Sequence, residues 1–207
     1  MRPGSQPASS TILASISKAM DRMHYDVGFL SNEEADMLSR QGVTPPSWQQ
    51  TTTGAPFSVI TTAAGDRVGF LRFPSLPSDR AKPQEALLEQ LARDIRKYRT
   101  QVRLLIGLSD WGWLAEQEYL ARDPEAVPDL LLGSGRGSGV NGRIQADDRC
   151  LWVRAYDKGR SIAKITILEW PDRENSFAWN PSRNYKTSSI GLNDQIKDYP
   201  AVRDILE

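Results

Sequence analysis

Two residue types that carry much of protein chemistry are nearly missing from this chain of 207 residues, which has one histidine, His24, and one cysteine, Cys150. A single cysteine excludes an internal disulfide and a zinc site built from several thiolates. Ser-His or Cys-His catalysis would have to run through His24 alone, and histidine-rich metal sites need more than one imidazole. His24 follows an amphipathic helix, where a capping or surface role is expected. Cys150 lies in an apolar run that predicts a buried side chain.

The chain also lacks a charge excess, a long apolar run and a visible address. Lys plus Arg and Asp plus Glu number 26 each, so the formal net charge is 0. This balance argues against nucleic acid or an anionic membrane as a partner of the whole chain. No apolar stretch reaches the length of a membrane span, and residues 1–10 lack the apolar region of a signal peptide. The length predicts one soluble domain over residues 1–207, with a flexible segment at 1–9 and a C-terminal tail at 190–207.

What is present is an alternation of helical and strand patterns that gives way to consecutive strands. Apolar spacing predicts helices near residues 12–23, 32–39, 87–98 and 111–122. Strands are predicted at 25–30, 57–62, 67–73, 102–108, 129–132, 151–155 and 162–169, with another within 180–189. Segments 102–108 and 129–132 are mostly apolar and flank a helix, so we expect them to be neighbouring parallel strands. This order predicts a layered α/β or α+β domain.

A glycine-rich segment at residues 133–142 follows a predicted strand, as a phosphate-binding loop would. The dinucleotide fingerprint fails because it needs a third glycine where Ser138 or Val140 stands, followed by a helix. The P-loop pattern fails because Arg143 and Ile144 replace its Lys and Ser/Thr. The segment is therefore either a plain surface loop or part of a different binding site.

Three short motifs share their order with one known group of proteins. Residues 25–36 resemble a segment that ends in Gly-Asn-His-Glu-Phe-Asp, and residues 104–112 resemble a strand that ends in Leu-Ser-His-x-Gly. Residues 129–137 are similar to Asp-x-Ile-x-Gly-Gly-His-x-His, and residues 65–70 and 156–160 match a hairpin and a later connection. Together these motifs resemble the calcineurin-like metallophosphoesterases, in their 5′-nucleotidase branch, over about residues 10–206.

The resemblance implies a layered α/β/β/α sandwich that lacks its first strand, because the family's Asp-x-His and Gly-Asp motifs have no match here. In the family, two metals clamp a phosphate and generate a hydroxide nucleophile. Asn32 keeps the residue type of a metal ligand, and Asp110 stands where the family has a metal-binding histidine. Glu33 stands at the position of the catalytic histidine. Gly135 and Gly137 stand at the positions of two more metal-binding histidines.

These replacements leave two functions open. Asn32 and Asp110 could hold Mg²⁺, Mn²⁺ or Ca²⁺ at low affinity, but a glycine offers no ligand and the charge of Arg136 opposes a cation. The resemblance therefore implies a non-catalytic relative, with no expected cofactor, that keeps the scaffold to bind a ligand or partner. The alternative is a metal-dependent phosphoesterase with altered metal ligands, or with essential residues upstream of Met1.

If the fold holds, a polar cluster is expected at the strand ends beside Trp111 and Trp113. In the functional interpretation, Arg136 and Ser134 bind a small anionic ligand or a protein partner, and a tryptophan face stacks on a ring. In the other interpretation, Arg136 pairs with Glu33 or Asp110 as the remnant of a lost site, and the tryptophans are packing residues. The sequence assigns no compartment; export to the periplasm or beyond is implied by the resemblance alone.

Overall fold

The computed structural model describes residues 10–78, 81–156, 159–173 and 177–207. The chain divides into two compact units, Met1–Gly54 with Asp194–Glu207 and Ala55–Asn193. We call the first the terminal unit and the second the sheet unit. The assignment of residues 1–207 to one domain stays a prediction, because a compact unit need not fold independently. The segment predicted to be flexible, residues 1–9, lies outside the described residues.

From residue 10 onward, where the structure describes it, the terminal unit contains three helices and two very short strands. Its elements are α1 (Ser10–Asp21), β1 (Gly28–Phe29), α2 (Asn32–Arg40), β2 (Gln49–Gln50) and α5 (Pro200–Leu206). Strands β1 and β2 pair in parallel over two residues each. The strand predicted at 25–30 shortens to Gly28–Phe29, and Tyr25 before it is about half exposed. Among the described residues of this unit, the buried apolar ones are few: Ala19, Leu30, Val43 and Pro46.

The sheet unit is built on a six-stranded mixed sheet with the order β3-β4-β5-β6-β8-β7. The strands are β3 (Phe57–Thr61), β4 (Arg67–Arg72), β5 (Leu104–Ser109), β6 (Leu130–Gly133), β7 (Val140–Gln145) and β8 (Cys150–Arg154). Strands β4, β5, β6 and β8 run parallel, and the two outer strands are antiparallel to their neighbours. The prediction of two neighbouring parallel strands is confirmed, because Ile106 of β5 pairs with Leu130 of β6.

Both faces of this sheet are covered, which explains why its central strands are apolar on both sides. Helices α3 (Glu85–Arg99) and α4 (Trp113–Leu120) belong to the core on one face. On the other face, β9 (Ser161–Ile167) and β10 (Tyr185–Gly191) form a two-stranded antiparallel sheet whose residues pack against the second core. The predicted α/β layered class is confirmed by this mixed sheet with helices against it. Cys150 is 0% exposed, as its apolar run predicted.

The sequence patterns do not predict strand β7, because its first half falls in the glycine-rich segment at residues 133–142. It is an outer strand with a register shift between Asn141 and Arg143, so its side chains do not alternate cleanly. Gly142, at this irregularity, has a φ of +85° and packs against Thr187 of β10. Irregular edge strands of this kind carry little periodic signal.

Candidate functional site

The four parallel strands end together at one edge of the sheet, which we call the carboxyl edge. In open α/β sheets, ligands bind in crevices outside this edge. Strand β5 leads here into Asp110, and β6 leads into residues 134–139, which we call the glycine-rich loop. Two of the predicted site segments are thus brought together. The backbone N–H of Ser134 donates to the carbonyl of Ser109 at 2.8 Å, and the N–H of Gly112 donates to the carbonyl of Ser134 at 3.1 Å.

Asp110 and Trp111 make contacts that the sequence did not reveal. The hydroxyl of Ser75, which follows β4, donates to Oδ2 of Asp110 at 2.6 Å. Trp111 is only 3% exposed, and its indole N–H donates to the carbonyl of Pro74 at 2.7 Å. Its ring packs 5.2 Å from Phe73, measured between centroids. The surroundings of Trp111 therefore favour a packing role over stacking on a ligand.

Trp113 and the predicted anion-binding residues lie nearer to solvent. Trp113 is half-buried, with its ring centroid 6.2 Å from that of Trp152. Ser134 and Arg136 are both exposed on the glycine-rich loop. Of the predicted ligand-binding residues in the sheet unit, these three are accessible.

Asn32 and Glu33 lie in the terminal unit, on the exposed first turn of α2. This turn is a capping box: the Ser31 hydroxyl accepts from the Glu34 N–H at 3.2 Å, and the Glu34 carboxylate accepts from the Ser31 N–H at 2.9 Å. The hydroxyl of Thr53 donates to the Asn32 side-chain oxygen at 3.4 Å. Part of the first family-like motif is therefore the beginning of a helix, and its Ser-x-x-Glu spacing is that of a capping box. The convergence of Asn32 and Glu33 with Asp110 stays a prediction.

At two positions of the glycine-rich loop, the backbone conformation and the space allow only glycine. Gly135 has a φ of +77°, and a Cβ there would lie 2.4 Å from the carbonyl oxygen of Asp110. Gly137 has a φ of +122°, and a Cβ there would lie 2.4 Å from the Cβ of Trp113. The loop is also tied down between them, since the Trp113 N–H donates to the carbonyl of Arg136 at 2.8 Å. The glycines therefore allow the loop to lie directly against the turn between β5 and α4.

A buried ion pair lies beneath this loop and was not predicted. Nη1 of Arg154, at the end of β8, is 2.5 Å from Oε2 of Glu116 on α4, and both side chains are at most 1% exposed. The same guanidinium donates to three loop carbonyls, from Nη2 to Gly135 at 3.1 Å and Arg136 at 3.4 Å, and from Nε to Ser138 at 3.1 Å. Arg154 thus joins the core to the exposed loop.

The carboxylate of Glu116 is held in a pocket with specific partners. The Trp152 indole N–H donates to Oε2 at 2.9 Å, and a Cβ on Gly133 would lie 2.0 Å from that oxygen. Gly133 therefore makes room for the carboxylate. Burial raises the pKa of Glu116, and the hydrogen bond and charge of Arg154, with the hydrogen bond from Trp152, oppose this rise. The other carboxylate oxygen, Oε1, is buried and has no hydrogen-bond partner among the described residues.

A signal for this pair existed in the sequence. Arg154 ends an otherwise apolar buried strand, and Glu116 lies among buried positions of α4 that include Ala115 and Tyr119. A charged residue at an apolar position of each element predicts a buried partner, since an unpaired buried charge is costly. The pairing itself joins residues 38 positions apart.

The acidic residue of the third family-like motif lies at the opposite edge of the sheet. Asp129, which is 5% exposed, accepts from the Leu105 N–H at 2.7 Å. Its two oxygens also accept from Nη1 and Nη2 of Arg173 at 2.9 and 2.6 Å. This acid therefore ties β5, β6 and the segment after β9 together at the amino ends of the strands.

The described residues offer no ready metal centre. Within residues 10–78, 81–156, 159–173 and 177–207, no group of three or more His, Cys, Asp or Glu side chains is placed to hold a metal ion. Among the described residues, the carboxylates at the carboxyl edge are Asp110 and Glu116, and the second is already paired with the Arg154 guanidinium. This set does not fit a pair of divalent cations. Weak binding of one Mg²⁺, Mn²⁺ or Ca²⁺ stays a prediction.

The structure defines an α/β protein with a mixed sheet, and no protein-family model and no curated protein matches the chain. Among solved structures it is similar to the NAD nucleotidase of Haemophilus influenzae, at 13% identity and a TM-score of 0.45, over 65% of this chain and 27% of that one. It is also similar to a hypothetical protein from Thermus thermophilus, at 12% identity and a TM-score of 0.36, over 70% and 69% of the two chains. Likenesses of this size do not establish a family.

Proposed function

We propose that this chain is a non-catalytic protein of the 5′-nucleotidase type that keeps the scaffold to bind a ligand or partner at its carboxyl edge. The backbone of the glycine-rich loop carries this proposal. At the two positions where the resemblance puts metal-binding histidines, Gly135 and Gly137 have positive φ values, and each lacks room for a Cβ by more than half an ångström. The backbone of the loop therefore has a conformation that excludes any side chain, including histidine, at positions 135 and 137.

Electrostatics support the same proposal. A two-metal site needs negative or neutral donors that converge, because each cation brings two positive charges. The buried charge beneath this loop is instead the Arg154 guanidinium, which already uses three loop carbonyls and the Glu116 carboxylate. These oxygens are therefore already engaged, which leaves fewer donors for a pair of metal ions at this edge.

The accessible residues of the carboxyl edge suit binding. Arg136 provides an exposed guanidinium on a loop with a fixed backbone, and Arg is well suited to anions. The Ser134 hydroxyl beside it donates to the carbonyl of Ser109 at 3.0 Å, so an anion bound by Ser134 would have to replace this bond. Leu114 is 75% exposed at the start of α4, and Tyr156 is 49% exposed after β8. We therefore propose a small anionic ligand or a protein partner that uses Arg136. No helix in the described part of the chain is long and apolar enough to cross a membrane.

Metal content and hydrolysis test the proposal directly. Purified chain should contain fewer than two metal ions per molecule by elemental analysis. It should turn over neither a nucleotide nor an aryl phosphate with added Mg²⁺, Mn²⁺ or Zn²⁺, because a chain that holds no metal pair cannot generate the hydroxide nucleophile of the family. Titration with the same nucleotide should show binding that the Arg136→Ala variant weakens.

The contrary result is equally specific. Metal-dependent turnover that Asp110→Ala or Asn32→Ala abolishes, and that Glu89→Ala on the exposed side of α3 leaves intact, would establish a phosphoesterase with altered ligands. Turnover that all three variants retain would come from a contaminating enzyme and leave the non-catalytic assignment standing.

A further inference from the structure

The Arg154 side chain is the main link between the core of the sheet unit and the glycine-rich loop. One end of its guanidinium is paired with Glu116, and the rest donates to the carbonyls of Gly135, Arg136 and Ser138. Anything that removes Arg154 from its place therefore removes three hydrogen bonds from the loop at once.

We propose that Glu116 and Arg154 form a proton-sensitive latch, which holds the glycine-rich loop closed while Glu116 is ionised and releases it when Glu116 binds a proton. The inference does not depend on the proposed function, because it concerns only the conformation of the loop.

The physical basis is the cost of burying a charge. Arg154 is 2% exposed as a whole residue, and removing the counter-charge of a guanidinium this deeply buried is strongly destabilising. A neutral Glu116 no longer supplies one, so the guanidinium is driven toward solvent. Among the described residues, three backbone hydrogen bonds would then remain to hold the loop, to or from Gly112, Trp113 and Ser134, and these break more often once the bonds from Arg154 are gone.

The direction of the proton effect follows from the surroundings of Glu116. Burial raises its pKa, and Arg154 is the main group that lowers it again. When Arg154 withdraws, only the raising effect of burial and the weaker donors remain. The open state therefore binds a proton more tightly than the closed state, and lower pH favours opening.

The other groups around the carboxylate do not reverse this direction. Among the described residues, Trp152 of β8 is an uncharged donor to Oε2 at 2.9 Å, Ser109 of β5 is an uncharged neighbour, and Gly133 of β6 presents backbone only. Arg143 of β7 lies over the Trp152 ring at 6.0 Å and adds a second positive charge at longer range. Proton uptake by Glu116 thus changes the charge balance at Arg154 first.

Amide hydrogen exchange gives a direct readout of the loop. The Trp113 N–H donates to the loop carbonyl of Arg136 at 2.8 Å, so it exchanges when the loop leaves. The Glu116→Gln variant mimics the neutral carboxyl. At neutral pH we expect the Trp113 amide of this variant to exchange about tenfold faster than in the natural chain, the effect of losing one charge-assisted hydrogen bond. The Leu131 amide, in the middle of β6, should keep its rate.

Glu118→Gln is the matched control, since Glu118 lies two residues further on α4 and pairs at the surface with Lys82. It should leave the Trp113 rate unchanged. As the pH falls from about 8 to about 5, a range above the ordinary carboxyl pKa, the Trp113 rate of the natural chain should approach that of Glu116→Gln measured at the same pH. Comparison at equal pH cancels the intrinsic dependence of exchange on acidity.

Three results would overturn the latch. Equal exchange rates of the Trp113 amide in the natural chain and in Glu116→Gln would show that the Glu116 carboxylate does not hold the loop. A rate ratio that does not change with pH would remove the proton dependence. Equal acceleration at Leu131 would show general destabilisation. If Glu116→Gln does not fold, Arg154→Lys replaces it: a lysine cannot reach three carbonyls at once, so unchanged Trp113 exchange in that variant would also contradict the proposal.

Discussion

At the scale of single residues, the space around each glycine of the loop decides which side chains the carboxyl edge can carry. Gly137 has a φ of +122°, and a Cβ there would lie 2.4 Å from the Cβ of Trp113. Ser138 beside it is exposed and is not among the residues with positive φ. A histidine is therefore incompatible with one position and acceptable one residue later. The backbone of the loop therefore excludes a histidine at position 137.

We expect Gly137→His to lower the free energy of unfolding by roughly 2 kcal/mol or more, from backbone strain and the clash with Trp113. Ser138→His, the neighbouring control, should change it by less than about 0.5 kcal/mol. Urea unfolding followed by circular dichroism measures both. Equal stability of the two variants would mean that the loop relaxes freely and that its glycines do not restrict it.

At the scale of elements, the amino ends of β5 and β6 are joined by a polar clamp rather than by apolar packing. Asp129 satisfies the Leu105 N–H and forms a two-point pair with Arg173. Arg173 is 31% exposed, so water screens part of this pair. The acid nevertheless has more protein partners than a surface carboxylate.

Replacing Asp129 with alanine should cost about 2 to 3 kcal/mol, because it leaves a buried N–H and a partly buried guanidinium without their acceptor. Lys82→Ala, which breaks the exposed pair with Glu118, should cost less than about 0.5 kcal/mol. Thermal or urea unfolding of the two variants distinguishes them. A cost for Asp129→Ala as small as that for Lys82→Ala would show that the clamp contributes little.

At the scale of the whole molecule, the two units differ in how much apolar core they contain. Both core clusters, on the two faces of the six-stranded sheet, consist of residues between Phe57 and Tyr185. Among its described residues, the terminal unit buries only four apolar side chains, Ala19, Leu30, Val43 and Pro46. Stability from apolar burial is therefore concentrated in the sheet unit.

A fragment of residues 55–193 should consequently fold by itself, with a single cooperative unfolding transition and the near-ultraviolet circular dichroism of packed tryptophans. A chain of residues 1–54 alone should show neither, since so small a core does not offset the entropy of ordering. A fragment 55–193 that binds hydrophobic dyes and melts without a transition would instead support one indivisible domain over residues 1–207.

The sequence by itself determined the elements of the sheet unit that have a strong period. Examples are the apolar runs of β5 and β6 and the helical spacing of Leu91 and Ile95 in α3. The pattern of apolar and polar residues within about ten positions is enough to predict such elements. The capping box at Ser31 and Glu34 was likewise readable from its spacing, although the motif was interpreted as part of a metal site. Edge strand β7 was not readable, because its irregular register breaks the alternation.

Only the tertiary structure decided what the carboxyl edge contains. The glycines at 135 and 137 are explained by atoms of Asp110 and Trp113, and the charge beneath them comes from Arg154 and Glu116, 38 residues apart. Spacing along the chain does not specify such contacts, because they arise when separate strands and a helix meet at one edge. A buried charge is stabilised by one particular partner, and which partner that is depends on packing rather than on local sequence.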